Sequence, residues 1–148
     1  MKIVFESEYV IGLAGLMIGV LAGLIVGAVR GGKLARWDAR ASAPLLLGAA
    51  GAHLALISAV EPRRQVLFAL YGLALIGVVA FAAIGWSIWR LGGVVFPAGS
   101  IAAYFYFAIP EHQADYIGLL VKLVEVVAIV AVAVPLFSAS DQRRTLAV

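Results

Sequence analysis

Between Tyr9 and Val29 the chain carries no charged side chain, and four further stretches come close to the same condition. A helix needs about 20 mostly apolar residues to cross roughly 30 Å of hydrocarbon, and only a backbone that satisfies its own hydrogen bonds can do so. The spans read from the sequence are about 9–29, 44–60, 65–89, 94–109 and 117–137. Pro44 stands at a helix-start position in the second. The fourth is short. It follows Gly92-Gly93, is closed by Pro110, and holds Pro97, Gly99 and Ser100, which allow a kink or a re-entrant path. The sequence therefore predicts an all-α integral membrane bundle of about five transmembrane helices.

Composition leaves no alternative class. Of 148 residues, 64% are hydrophobic and only 13% charged, too few polar groups to build a water-facing shell. Residues 1–148 read as a single transmembrane domain, with no room for a separate soluble one. The chain has no cysteine, which excludes disulfides, iron–sulfur clusters, thiolate metal sites and thiol redox chemistry. The net charge is +3, with the basic residues in short loops, a pattern of membrane orientation and not of nucleic-acid binding. The first apolar run follows Lys2, Glu6 and Glu8, is too long for a signal-peptide core, and leads into Arg30-Gly31-Gly32-Lys33; it reads as a retained helix.

Loop charges set an expected orientation. Arg30, Lys33, Arg36, Arg40, Arg90, Arg143 and Arg144 fall on one side of a five-helix topology, and Lys2, Arg63 and Arg64 on the other, seven basic residues against three. The acidic residues Glu6, Glu8, Glu61, Glu111 and Asp115 join the smaller group. The positive-inside rule places the N-terminus outside and the C-terminus in the cytoplasm, as for a multi-pass protein of the bacterial cytoplasmic membrane. Trp37, Trp86 and Trp89 then fall at the cytoplasmic interface, and Tyr9, Tyr104, Tyr106 and Tyr116 near the outer one. Residues 33–40 are read either as a solvated basic loop or as a short surface-lying helix.

The first span carries a ladder: Gly12, Gly15, Gly19, Gly23 and Gly27. Residues four apart share one helix face, and small residues there permit close backbone approach, the main attraction between helices in lipid. The ladder predicts tight packing along the helix. The facing surface is either an internal neighbour, with helix 2 offering Gly48, Ala52 and Ala55, or a second copy or partner subunit.

Ionisable residues within the spans are costly there and are the first place to look for function. They are His53, Lys122 and Glu125. Counted from their helix ends, His53 and Glu125 lie at similar depth, so a contact between them is allowed. Lys122 and Glu125 are three apart and can neutralise each other, although Lys122 is shallow enough to snorkel outward. The readings are a structural polar contact, a proton or ion relay with Glu125 as carrier, or ligation of a cofactor by His53. His112, with Glu111 and Asp115, reads as part of a solvated loop. Ser58, Ser87 and Ser100 read as bonded back to their own helices. No catalytic motif is present, and no metal or cofactor is expected.

The stretch Gly51-Ala52-His53-Leu54-Ala55-Leu56, the Glu61-Pro62 turn, Ala103-Tyr104, Pro110 and the Leu- and Glu-bearing last helix (Gly118 to Glu125) resemble small multi-span membrane proteins of actinobacterial type. The resemblance covers roughly residues 51–130. It implies a four-span unit to which the glycine-bearing first helix is an addition. Ser58-Ala59-Val60 departs from that pattern, where a second histidine and an acid often sit. The family has no assigned activity.

The sequence as a whole predicts a non-catalytic membrane subunit, embedded in the lipid bilayer. It would pack through its glycine-bearing helix into a larger complex or against copies of itself. A small transporter or channel using His53, Lys122 and Glu125 is the alternative, and a cofactor-binding protein with His53 as ligand the second.

Overall fold

The computed structural model describes residues 7–29, 37–107 and 116–145, with side chains for 7–29, 39–107 and 116–134. Its regular structure over this range is all helical, broken only by short turns: α1 (Ser7–Val29), α2 (Trp37–Ala55) with a 3-10 extension (Leu56–Ala59), α3 (Pro62–Ile84), α4 (Trp89–Phe107) and α5 (Tyr116–Thr145). Four of the five, α1, α2 with its extension, α3 and α5, are long and apolar enough to cross a membrane. The 19-residue α4 is not among them; Arg90, Ser100, Pro97 and two tyrosines dilute its apolar character.

The element boundaries differ from the sequence-read spans where backbone chemistry intervenes. Pro44 does not open α2. It lies inside the helix, which begins at Trp37 and so takes in the end of the basic stretch; residues 33–36 lie outside those described. A proline inside a helix forfeits one backbone hydrogen bond, and the burial of Pro44 against α1 compensates. The third helix does not run to Trp89. It stops at Ile84 because Gly85 adopts φ 86°, and the N–H groups of Gly85 and Trp86 turn back to Ala82 O at 3.1 Å and Phe81 O at 3.0 Å. Trp89 and Arg90 therefore open α4, and Gly92 and Gly93 lie within it, not before it. Pro110, His112 and the rest of that loop fall outside the described residues.

Helices α2, α3, α4 and α5 close a four-membered ring: α2 packs on α3 and α5, and α4 packs on the same two from the opposite side. Leu46, Leu75, Val132 and Pro97 are almost fully buried at its centre. Helix α1 lies outside the ring and packs chiefly on α2. Large apolar side chains point outward on every side, among them Ile18 at 67% exposure and Leu67 at 64%. A water-soluble monomer does not expose apolar surface on that scale, whereas lipid is its natural solvent.

The glycine face of α1 is turned inward, onto α2. The helices run antiparallel, so that Gly12 meets Leu56, Gly15 meets Gly51 and Ala55, Gly19 meets Leu47 and Gly48, and Gly23 meets Ala43 and Pro44. A Cβ at Gly15, Gly19 or Gly23 would overlap backbone atoms of α2. Two corrections to the sequence reading follow. Gly27 has nothing within 4 Å of where a side chain would begin and takes no part in the contact. On α2, Gly51 supplies the close approach, whereas Ala52 is buried but is not among the atoms nearest the α1 glycines.

Candidate functional site

The ring encloses a polar cluster drawn from all four of its helices. Helix α5 contributes Lys122 and Glu125, one turn apart on its inner face; their side chains are 8% and 0% exposed, and Lys122 Nζ lies 2.8 Å from Glu125 Oε2. Lys122 does not snorkel outward. The reason is the arrangement of acceptors inside: its ammonium also donates to the Ser100 hydroxyl and lies 5.9 Å from the ring centroids of both Tyr71 and Tyr104.

Glu125 is bonded on both oxygens. Oε2 takes the lysine, and Oε1 accepts from the Tyr71 hydroxyl at 2.8 Å and the Ser100 hydroxyl at 3.2 Å. A buried carboxylate is tolerable only when its charge is paired and its lone pairs are occupied, and here both conditions hold. Ser100 corrects a second expectation. It does not bond back to its own helix among the described residues but links α4 to both charged groups of α5. Ser42 is the serine that bonds within its helix, to Ala39 O at 3.4 Å.

His53, on α2, stands at the edge of this cluster. Its Nδ1 lies 2.8 Å from Ala49 O, one turn back on the same helix. A carbonyl oxygen only accepts, so Nδ1 carries the hydrogen, and in the neutral ring Nε2 keeps its lone pair. The imidazole packs against Phe68 at 5.0 Å and against Tyr71 at 4.5 Å, centroid to centroid. The direct His53–Glu125 contact allowed by the sequence is not formed among the described residues; Tyr71 joins the two, its ring on the histidine and its hydroxyl on the carboxylate.

Sequence reasoning thus found His53, Lys122 and Glu125 and missed Tyr71, Ser100 and Tyr104. A phenol in mid-helix is a usable signal, because a buried tyrosine hydroxyl needs a partner. Tyr71 carried that signal, in the middle of the otherwise apolar third span. Trp89, expected at the lipid interface, is buried at 4% exposure, with the Arg90 guanidinium 5.0 Å from its ring. Trp86 is exposed and stacks on Phe81 at 5.3 Å. Among the described residues no group of three or more His, Cys, Asp or Glu side chains is placed to hold a metal ion.

Fold and cluster together define an all-helical membrane protein, with four helices long and apolar enough to cross a bilayer and an ion pair buried between them. Comparison with known protein families, curated proteins and solved structures finds no match.

Proposed function

We propose that this chain is a non-catalytic integral membrane subunit of the bacterial cytoplasmic membrane, a five-span bundle with its N-terminus outside and its C-terminus in the cytoplasm. The observation that carries the reading is the occupancy of Glu125: both carboxylate oxygens are engaged by groups of the same chain, on α3, α4 and α5. Such a closed, charge-balanced cluster sets the mutual rotation of helices that are otherwise apolar on every side. It acts as a lock and makes the bundle a rigid body. The glycine face of α1 reinforces the same body from outside the ring, so association with other subunits, or with further copies, uses the outward apolar faces instead. The seven-to-three division of basic residues supports the orientation.

The test is extraction in mild detergent, with the particle mass and its composition measured. Foreign membrane subunits in fixed ratio, or a defined homo-oligomer, agree with the reading. A particle containing one copy of this chain and nothing else removes it.

A second reading is favoured by one observation, the convergence of four helices on Lys122, Glu125 and His53 in the bundle interior. Intramembrane ionisable groups mark ion and proton pathways. In this reading the chain is a small ion or solute transporter with Glu125 as carrier. Flux measured in liposomes decides it, since a Glu125→Gln variant with undiminished flux has no carrier carboxylate.

A further inference from the structure

The Lys122–Glu125 pair joins two residues of one helix, so it does not by itself hold the ring together. The bonds between helices run from Glu125 to Tyr71, from Glu125 to Ser100, and from Lys122 to Ser100. Two of these three do not involve the lysine. The carboxylate, the serine hydroxyl and the Tyr71 ring are therefore tied together across α3, α4 and α5 without the ammonium, and Tyr104 stands on α4 one turn beyond Ser100. What they surround is a small volume with a carboxylate oxygen 2.8 Å and two aromatic centroids 5.9 Å from its centre, taking Nζ as that centre. A carboxylate, a hydroxyl acceptor and two aromatic faces are the groups that recognise an ammonium ion.

We propose that Glu125, Ser100, Tyr71 and Tyr104 form a binding site for a primary alkylammonium cation, and that the Lys122 side chain is its tethered occupant. The inference rests on neither functional reading above. Primary amines fit because the charge must donate to both Glu125 and Ser100 while presenting its remaining surface to the rings. A quaternary ammonium has no N–H to give. The tether explains why the site is closed in the folded chain: a ligand on a short flexible arm has an effective concentration in the millimolar range or above, which a free amine must exceed. The tether is also releasable. Lys122 lies about 9 Å along α5 from Tyr116 at 1.5 Å per residue, and the stem of a lysine covers much of that distance toward the headgroups. Departure of the lysine leaves a buried carboxylate that must be neutralised, by a proton or by another cation, so a free amine competes with protonation as well as with the tether.

The experiment uses the full chain in lipid nanodiscs, as wild type, Lys122→Ala, and Lys122→Ala combined with Glu125→Gln. Thermal unfolding is followed in methylammonium chloride and in equal concentrations of tetramethylammonium chloride, which matches ionic strength but lacks N–H donors. The expected result is that Lys122→Ala melts below wild type and is restored saturably by methylammonium alone. The shift is roughly 4 °C when the amine stands about tenfold above its dissociation constant. The double variant shows no difference between the two salts. Purification of Lys122→Ala is also run in each salt, so that a variant too unstable to isolate still reports. Recovery only with methylammonium supports the site. A variant that is equally stable, or equally unrecoverable, in both salts overturns it, as does an equal response of the double variant.

Discussion

The hydroxyl of Tyr71 on α3 donates a 2.8 Å hydrogen bond to Oε1 of Glu125 on α5, 54 residues further along the chain. Together with Ser100 on α4, this contact turns an ion pair local to one helix into a tie across the bundle.

Removing the charge of Glu125 should therefore be the most damaging change at the cluster. Glu125→Gln takes the counter-ion from the Lys122 ammonium, which must then lie buried unpaired, leave the cluster or give up its proton, a loss of about 3 kcal/mol. Tyr71→Phe removes one hydrogen bond to a charged acceptor and should lose about 1–2 kcal/mol. Reversible unfolding in mixed micelles gives both values. Tyr71→Phe losing as much as Glu125→Gln would contradict this ranking.

The glycine face makes a position-specific prediction. Gly19→Ile places a branched side chain into the Leu47 and Gly48 backbone, and so lowers stability by about 3 kcal/mol or separates α1 from α2. Gly27→Ile meets open space and should be neutral or stabilising, since glycine is a poor helix former by about 1 kcal/mol. Thermal melts of the two variants side by side check the difference. Equal damage at both positions would show that glycine content matters there, and not the contact.

His53 separates packing from chemistry. His53→Phe keeps an aromatic ring against Phe68 and Tyr71 and loses the bond to Ala49, about 1 kcal/mol. His53→Ala opens a cavity and should lose about 2–4 kcal/mol. If a fully stable His53→Phe protein nevertheless lost a measured transport activity, the imidazole would have a role beyond packing.

Orientation is testable because the chain contains no cysteine. Ser58, after α2, and Ser87, between α3 and α4, are both exposed and lie at opposite ends of α3. Single Ser58→Cys and Ser87→Cys variants in intact cells should differ: a membrane-impermeant thiol reagent labels the first and not the second. The reverse pattern would invert the proposed topology.

The membrane class and the helical architecture were legible without coordinates, because spanning is decided by a sum of apolar residues along the chain and by the need to satisfy backbone groups in lipid. His53, Lys122 and Glu125 were legible for the same reason, as costly residues in an apolar setting. The end of α3 was less so. It turns on Gly85 adopting a left-handed conformation, and the nearby pair Gly92 and Gly93 looked like the more natural break.

What the tertiary structure alone decided is the rotation of each helix about its own axis. A soluble helix advertises its inner face by a stripe of apolar residues against polar ones. Here both faces are apolar, and that stripe is missing. The sequence by itself determined that α1 has a face suited to close packing and that α5 carries a lysine and a glutamate one turn apart. It did not determine that the glycine face meets α2 from outside the ring, or that Tyr71, Ser100 and Tyr104 turn toward Lys122 and Glu125. Those choices depend on how five helices pack together, where partners distant in sequence become neighbours and a buried charge finds the groups that satisfy it.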